Sequence, residues 1–378
     1  MRILHIIATM DPKSGGPAEL IRGLLTTPLP DLQSEVLTLD DPANYFLDVF
    51  DFTVHAIGPA AGVYGYTPSL IPWLKNNADR FDGFIVHGMW QFLGLAALWA
   101  LPQSKPYAIF SHGMLDPYFK RRFPMKHLKK TIYWLLVEYW VLRRARFVIF
   151  TTRSEQALAQ ESFPIYRWNP IVIPLGGASP PENYEGQINM FSSLYPSVPI
   201  GRFLLFLGRI HPKKGCDLLI EALKNVAAES DLHLVIAGPD DSNWSFALQS
   251  RAKDLDIFDR IHWTGMLSGD AKWGAYRSCE AFVLPSHQEN FGIAVIEAMS
   301  CGKPVLISDK VNIASEVIID KCGFVEVDSE KGVEKLLRRW FQTPPRERED
   351  MANNAIVSFK RRYDLVNSAK SIAGLFRK

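Results

Sequence analysis

The fold is decided by the stretch PSHQENFGIAVIEAMSCGKPV at residues 285–305. Glu289 lies in a polar loop that follows the apolar segment 280–284, and Glu297 lies eight residues later, inside the apolar segment 292–299. The apolar spacing of that second segment predicts a helix, whose first backbone N–H groups have no partner within the helix. Such groups bind phosphate, and carboxylates beside them accept hydrogen bonds from hydroxyls. A nucleotide sugar carries both kinds of group and fits this pattern.

A second motif, FLLFLGRIHPKKGCDLLIEA at residues 203–222, has the pattern of a buried strand, a loop with cations and an amphipathic helix. Arg209 and Lys214 lie in the loop, at the carboxyl end of the predicted strand, where ligands gather in open α/β sheets. A diphosphate leaving group needs positive charge at this place, because negative charge grows on its bridging oxygen as the glycosidic bond breaks. The second motif therefore predicts the cationic side of the same site.

Together the two motifs resemble the retaining glycosyltransferases of family four, of the bacterial cell-surface or exopolysaccharide type. The first motif has their E-x7-E spacing within EAMSCGKPV, and the second has their G-R-x4-K-G pattern. The resemblance implies that Arg209 and Lys214 hold the donor diphosphate, that Glu289 contacts the hexose and that Glu297 contacts the ribose. It also implies the GT-B fold, an α/β fold of two Rossmann-like doubly wound domains that face a cleft, with a C-terminal helix that crosses back to the first domain.

The remaining donor contacts are expected from backbone groups. Amides at Asn290, Phe291, Gly292 and Ile293 would face the phosphates. The base would be read by backbone at Gly238, Gly265 and Met266. Backbone contacts do not separate uracil from guanine, so UDP and GDP sugars both remain open, and UDP-glucose is favoured only as the commoner donor of the family.

Two loops of the N-terminal half are candidates as well. The segment DPKSGGPAEL at 11–20 places Gly15 and Gly16 between a strand and a helix, where glycine lets the backbone approach a ligand. In the family this loop faces the donor diphosphate and the acceptor. The segment FSHGMLDP at 110–117 resembles the family's H-G motif, which implies that His112 reaches the donor sugar.

A His-Gly pair also begins the segment 87–90, one strand earlier, and is the weaker candidate. Trp90, Tyr64 and Tyr66 could stack on an acceptor sugar, although packing in the core explains them nearly as well. Asp40 and Asp41 stand beside a proline and are interpreted as turn residues.

The domain organisation follows from length and alternation. A chain of 378 residues exceeds the size of a single core, and strands alternate with helices in both halves, which predicts two parallel sheets. Residues 181–200 are rich in Pro, Gly and Ser and are interpreted as the hinge between an acceptor-side domain at 1–180 and a nucleotide-sugar domain at 201–352. Residues 353–378 are predicted to form the crossover helix.

Composition limits the partners. With 47% hydrophobic and 22% charged residues and a net charge of +2, the chain resembles a soluble globular protein and is too weakly basic for a nucleic-acid binder. Its four cysteines show no C-x2-C spacing, so reduced thiols in a cytoplasmic protein are expected. The start of the chain lacks the features of a signal peptide, and no apolar run is long enough to span a bilayer.

A basic stretch leaves membrane contact open. Ten Lys or Arg residues and only one acid, Glu138, lie between Lys120 and Arg153, and they bracket the aromatic segment 133–140. Residues 119–146 could lie on the anionic cytoplasmic face of an inner membrane, as suits an enzyme with a lipid-linked acceptor. The aromatic residues fall on several helical faces, so a helix packed inside the domain is the other interpretation.

The resemblance predicts a hexosyltransferase of polysaccharide biosynthesis that uses neither metal nor cofactor. Asp254 and Asp256 form a D-x-D sequence, but they lie in a charged helical run instead of at a strand end. Two other classes stay open. A GT-B epimerase would isomerise the nucleotide sugar without an acceptor, and a catalytically silent scaffold would bind the donor without turning it over.

Overall fold

The structure is a computed structural model that describes residues 1–12, 16–118, 120, 124–227, 231–240 and 243–377. The chain forms two compact units, one of Met1–Gly176 with Leu365–Lys378 and the other of Gly177–Asp364. Gly15, one of the predicted donor-loop residues, lies outside the described residues.

The first unit is built on a seven-stranded parallel sheet with the order β3-β2-β1-β4-β5-β6-β7. Its strands are β1 (Arg2–Ile7), β2 (Gln33–Thr38), β3 (Val54–Ala56), β4 (Gly83–His87), β5 (Tyr107–Phe110), β6 (Phe147–Phe150) and β7 (Pro170–Val172). Its helices are α1 (Gly16–Thr26), α2 (Leu70–Asn77), α3 (Phe92–Ala100), α4 (Pro124–Tyr133), α5 (Tyr139–Arg144) and α6 (Arg153–Ala159), with a π-helical turn at Trp134–Glu138 between α4 and α5. The central strands are buried along their length, as strands covered on both faces must be.

The second unit is built on a six-stranded parallel sheet with the order β10-β9-β8-β11-β12-β13. Its strands are β8 (Phe203–Leu207), β9 (His233–Ala237), β10 (Ile261–Gly265), β11 (Ala281–Leu284), β12 (Val305–Ser308) and β13 (Gly323–Glu326). Its helices are α7 (Tyr184–Leu194), α8 (Cys216–Val226), α9 (Trp244–Asp254), α10 (Gly269–Ser278), α11 (Ile293–Ser300), α12 (Ala314–Asp320), α13 (Glu330–Gln342) and α14 (Pro345–Ser358), followed by a π-helical turn at Phe359–Tyr363. The prediction of two doubly wound domains is confirmed.

The last helix, α15 (Leu365–Gly374), belongs to the first unit, as the predicted fold requires. Ser368 donates to the carbonyl of Pro174 at 2.7 Å. Gly83 leaves room for the ring of Phe376, because a Cβ there would lie 2.4 Å from the ring. The return to the first unit begins at Leu365, so the whole segment 353–364 stays with the second unit.

The segment 181–200, interpreted from its composition as a hinge, instead contains helix α7. Its buried residues are only Gln187 and Phe191, so the sequence shows little helical periodicity. The helix packs closely on α10, where a Cβ on Gly274 would lie 2.0 Å from the carbonyl oxygen of Gln187. The chain passes between the units at Gly176–Gly177 and at Asp364–Leu365.

Both sheets reverse their strand order at one place, between β1 and β4 in the first and between β8 and β11 in the second. Ligands of open α/β sheets bind at the carboxyl ends of the strands beside such a reversal. The loops that follow these four strands, together with the loop after β5, contain most of the site residues predicted from the sequence.

Candidate active site

Lys214 and Glu289 meet at the carboxyl edge of the second sheet. Lys214 Nζ donates to Glu289 Oε2, and both side chains are more than four-fifths buried. The loops after β8 and β11 hold this pair in place: the amide of His287 donates to the carbonyl of Lys213 at 2.8 Å. Gly215 has a φ of 72°, and a Cβ there would lie 2.3 Å from the carbonyl oxygen of Pro285. Only glycine permits this approach of the two loops.

Glu297 on α11 is held by two side chains of α10. Lys272 Nζ donates to Glu297 Oε1 at 2.8 Å, and the Tyr276 hydroxyl donates to Oε2 at 2.9 Å. Burial and the neighbouring carboxylate raise the pKa of Tyr276, so its hydroxyl keeps its proton and remains a donor. Sequence reasoning missed Lys272 and Tyr276, because they lie on a neighbouring helix that carries no recognisable motif.

Helix α11 begins just after Gly292, whose φ is 82°, and within the described part of the chain no side chain caps it. The first turn therefore presents backbone N–H groups beside the pair Lys214 and Glu289. The side chain of Phe291 is buried and its ring packs nearly perpendicular to that of Tyr363, so this residue offers only its backbone. Asn290 accepts from the side-chain amide of Asn312 at 3.3 Å. The geometry suits an anion at the start of α11.

The other predicted donor residues lie on the same edge. Gly238 and Gly265 are brought together by a hydrogen bond from the Gly238 amide to the Gly265 carbonyl at 2.8 Å, and the Met266 side chain is exposed. Gly238 has a φ of 143°, and a Cβ there would lie 1.9 Å from the carbonyl oxygen of Gly208. Arg209 follows Gly208 directly and is exposed. No ion pair joins Arg209 to another described residue, whereas Lys214 is already paired.

In the first unit His112 ends a row of three histidines. His112 Nε2 lies 3.0 Å from His87 Nδ1, and His87 Nε2 lies 3.0 Å from His5 Nδ1. Burial lowers the pKa of His112 to about 3 and that of His5 to about 4, and burial together with the two neighbouring rings holds the pKa of His87 well below its ordinary value, so all three rings are neutral at physiological pH. A neutral imidazole has one donor and one acceptor nitrogen, so the hydrogen bonds along the row run in one direction.

The loop that carries His112 is held by Glu155, which sequence reasoning missed. Glu155 is buried and accepts from Ser111 Oγ and the Gly113 amide at 2.7 Å each, and from the amide and hydroxyl of Thr151 at 2.7 and 2.6 Å. His112 itself has a φ of 47°, an uncommon conformation for a residue with a side chain. Two of these hydrogen bonds therefore hold the strained loop at the end of β5, and the two from Thr151 anchor Glu155 at the end of β6.

The loop after β4 is also held by a buried acid. Glu138 accepts from the Trp90 amide at 2.6 Å, and Trp90 has a φ of 67°. Burial raises the pKa of Glu138 to about 7, although Trp90 and Lys130 both oppose this rise. The Trp90 ring packs against Phe163 and lies under Lys130 Nζ, 4.5 Å from its centroid. Packing within the first unit thus explains many of the contacts of the Trp90 side chain.

Gly16, the other predicted glycine of the N-terminal loop, is the first residue of α1. A cavity of about 550 Å³ lies over the carboxyl ends of β1, β2 and β4, and its polar lining residues are Asp40, Asp41, Asn44 and Gln91. Asp40 is not merely a turn residue: it is buried and accepts from Thr9, Met10 and Thr38 at 2.6–2.7 Å. Tyr64 packs inside the unit and bonds the Tyr133 hydroxyl, while Tyr66 is half exposed.

In the part of the chain that the structure describes, no three or more His, Cys, Asp or Glu side chains form a group that could hold a metal ion. Metal independence stays a prediction. Among the helices built from described residues, none is both long enough and apolar enough to cross a bilayer. All four cysteines are free, and three of them are buried.

The chain matches known families along most of its length. Residues 25–176 match the family described as Glycosyl transferase 4-like domain, and residues 199–357 match Glycosyl transferases group 1. Over 182 residues the chain is 29% identical to an uncharacterized glycosyltransferase of Methanocaldococcus jannaschii, covering 47% of this chain and 45% of that protein. Over 115 residues it is 34% identical to mannosylfructose-phosphate synthase of Agrobacterium fabrum, covering 29% and 25%. The chain thus matches less than half the length of these curated relatives.

Solved structures resemble the whole chain. Sucrose-phosphate synthase of Thermosynechococcus elongatus has a TM-score of 0.74 at 18% identity, covering 100% of this chain and 98% of that one. Anabaena HepE in complex with UDP-glucose has a TM-score of 0.74 at 19% identity, covering 99% and 98%. WaaG, a glycosyltransferase involved in lipopolysaccharide biosynthesis, has a TM-score of 0.70 at 16% identity, covering 100% and 99%. Since the fold agrees and family matches cover both halves, the chain belongs to the GT-B glycosyltransferases of family four.

Proposed function

We propose that the protein is a retaining glycosyltransferase that moves a hexose from a nucleotide-diphosphate sugar, UDP-glucose first and a GDP sugar second, to a saccharide or lipid-linked saccharide. The observation that carries this proposal is the arrangement around α11, where the pairs Lys214–Glu289 and Lys272–Glu297 lie beside an uncapped helix start. Cations and backbone N–H groups suit a diphosphate, and the carboxylates suit sugar hydroxyls.

The donor contacts follow from these pairs. Lys214 already faces an anionic group, Glu289, so a diphosphate beside Lys214 exchanges one anionic partner for another. Glu289 is then able to accept from the hexose hydroxyls. Glu297, held by Lys272 and Tyr276, keeps its orientation for the ribose hydroxyls. Arg209 supplies the second positive charge for the diphosphate.

In the proposed reaction the acceptor hydroxyl attacks the anomeric carbon on the face from which the diphosphate leaves. The bond from the anomeric carbon to the acceptor oxygen forms as the bond to the phosphate oxygen breaks, and the departing phosphate takes the acceptor proton. Arg209, Lys214 and the amides near Gly292 stabilise the charge that develops on the leaving group. His112 keeps the role that the family resemblance gives it, a hydrogen bond to the donor sugar.

The cavity above the first sheet supports a saccharide acceptor. Two carboxylates and two side-chain amides line it, and none of its described lining residues is Lys or Arg. Such a lining accepts and donates hydrogen bonds to hydroxyls and does not attract phosphate. Tyr66, half exposed beside Phe92, adds an aromatic face of the kind that packs on sugars.

Helices α4 and α5 support a contact with the cytoplasmic face of a membrane. An apolar stripe runs along their outer face, each residue 47–74% exposed: Met125, Leu128, Ile132, Leu135, Leu136 and Trp140. Lys126, Lys129 and Arg143 are exposed close to the stripe, while Arg121 and Arg122 lie outside the described residues. An amphipathic helix of this composition binds in the interfacial layer of anionic bilayers. A lipid-linked acceptor would then lie in the same membrane.

The identity of the donor is tested by measuring the thermal shift of the protein with a panel of UDP and GDP sugars. Assays of nucleotide release, with and without a membrane extract, then test turnover. The proposal expects the largest stabilisation with UDP-glucose and release of UDP that depends on the extract. An epimerase would instead convert the UDP sugar without releasing UDP, and a silent scaffold would be stabilised without any turnover.

A further inference from the structure

A second cavity lies at the opposite edge of the first sheet, away from His112. Its volume is about 450 Å³, and its lining residues come from the segment before β5 and from the end of α5. These segments lead into the amino ends of β5 and β6, whereas the candidate site residues follow the carboxyl ends of the strands. The cavity is therefore distinct from the site for the donor and the acceptor.

Positive charge dominates this cavity. Lys105, Arg144 and Arg146 line it, along with the polar side chains of Gln103 and Ser104, and none of its described lining residues is acidic. Arg146 is exposed at its rim. Asp79, 3.7 Å from Lys105, is fully exposed, so water screens that pair. The three cations suit an anion with several acceptor oxygens, for which arginine is especially fitted.

Arg144 is held in a fixed position. Its NH2 group donates to the carbonyl of Leu101 at 2.7 Å, and its guanidinium lies over the ring of Tyr107 at 5.3 Å. The fixed guanidinium therefore contributes its positive charge to the lining of the cavity.

The helices that lead to the cavity point to a membrane as the source of the anion. Helix α3 exposes Trp99 (61%) and ends immediately before the lining segment. Helix α5 exposes Trp140, whose ring lies 5.5 Å from the Arg143 guanidinium, and ends at Arg144. Exposed tryptophans are typical of the headgroup layer, and clustered cations are typical of contact with anionic lipids. The apolar stripe thus leads along α5 to the cations.

We propose that this cavity binds the phosphate group of an anionic phospholipid, an inference that rests on the proposed membrane contact. Lys105, Arg144 and Arg146 hold the headgroup phosphate while the apolar stripe and the two tryptophans enter the interfacial layer. The site selects anionic lipid and fixes the orientation of the first unit on the surface. This role needs no contact with the donor or the acceptor.

The test measures binding to vesicles of phosphatidylcholine alone and of phosphatidylcholine with about a third phosphatidylglycerol. The cavity variant is Arg144→Gln/Arg146→Gln, and the charge-matched control is Lys75→Gln/Arg153→Gln, which removes two exposed cations of the first unit that lie outside α4, α5 and the cavity. We expect the cavity variant to lose ~10-fold or more of its affinity for anionic vesicles and the control to lose less than ~3-fold. Equal losses in the two variants would mean diffuse surface charge and would overturn the proposal.

Two further arms separate the alternatives. Titration with inorganic phosphate shows whether the cavity takes a free anion: phosphate binding without preference for phosphatidylglycerol vesicles rules out the lipid assignment. The stripe variant Leu128→Ser/Leu136→Ser tests the membrane contact itself, since it should lose binding to phosphatidylcholine vesicles. If binding persists in that variant while the cavity variant loses its preference for anionic lipid, the stripe contact fails and the cavity assignment stands. Arg146→Gln alone, which leaves the bond from Arg144 to Leu101 intact, should show the same direction if the double variant is unstable.

Discussion

Replacing Glu155 with Gln should loosen the loop that carries His112. The carboxylate accepts four hydrogen bonds, two on each oxygen, from Ser111, Gly113 and Thr151. A glutamine keeps one acceptor oxygen, and its NH2 group must face two donors in place of the other oxygen. At least one backbone N–H is then buried without an acceptor and a second hydrogen bond to a charged group is lost, which together cost about 2–4 kcal/mol.

The assay follows the two units separately. A loss of this size in a unit of this length lowers its melting temperature by ~5–15 °C, so calorimetry should show one transition shifted and the other unchanged. Because His112 leaves its position, turnover should fall ~10-fold or more while affinity for UDP, to which no contact of His112 is assigned, stays the same. Glu19→Gln, an exposed change on α1, serves as the control and should alter neither.

If Glu155→Gln melted like wild type, within about 0.5 kcal/mol, and kept full turnover, the hydrogen bonds to Glu155 would not hold the loop and the reasoning would be refuted. Loss of UDP affinity in this variant would also contradict it, since the contact assigned to His112 is to the sugar and not to the nucleotide.

The other predictions concern the donor site and the buried acid of the first unit. Arg209→Ala should cut turnover ~100-fold with folding intact, and sugar transfer within tenfold of wild type would contradict its role at the diphosphate. Glu289→Gln should impair transfer yet leave affinity for free UDP nearly unchanged, whereas Glu297→Ala should weaken UDP binding by ~1.5–3 kcal/mol; calorimetric titration that gave the reverse pattern would exchange their roles. Nucleotide release should continue after dialysis against EDTA, and a strict need for added manganese or magnesium would count against a metal-independent mechanism. Burial raises the pKa of Glu138 to about 7, so its contribution to stability is present below its ordinary value of 4.5 and is lost as pH rises through about 7. Glu138→Gln should therefore stabilise the first unit by about 1–3 kcal/mol at a pH of about 8 and by little near pH 4.5, and equal effects at both pH values would contradict the assigned pKa.

Strands were the most predictable part of the fold. A strand such as Phe203–Leu207 is buried on both faces of a parallel sheet, so it forms a continuous apolar run that stands out in the sequence. The edge strand β3 was missed because its three residues are only half buried and form no such apolar run. Helix α7 was missed because its buried face is narrow and prolines flank it, which resembles a linker in composition.

The predicted site residues and their missed partners differ in one physical respect. Lys214 and Glu289 follow strands directly, so their place at the carboxyl edge could be read from local sequence. Glu155 reaches the His112 loop from more than 40 residues away, and His5 reaches His87 across 82 residues. Lys272 lies on a different helix from Glu297. Such contacts depend on strand order and helix packing, which no local spacing reveals.

The central claim, transfer of a hexose with retention, is tested most directly by following UDP-glucose and an acceptor-containing membrane extract by NMR. The account predicts that UDP appears in step with a new α-glucoside, because UDP-glucose itself has the α configuration and the diphosphate leaves from the face that the acceptor attacks. A β-linked product, or an epimerised UDP sugar formed without release of UDP, would contradict it.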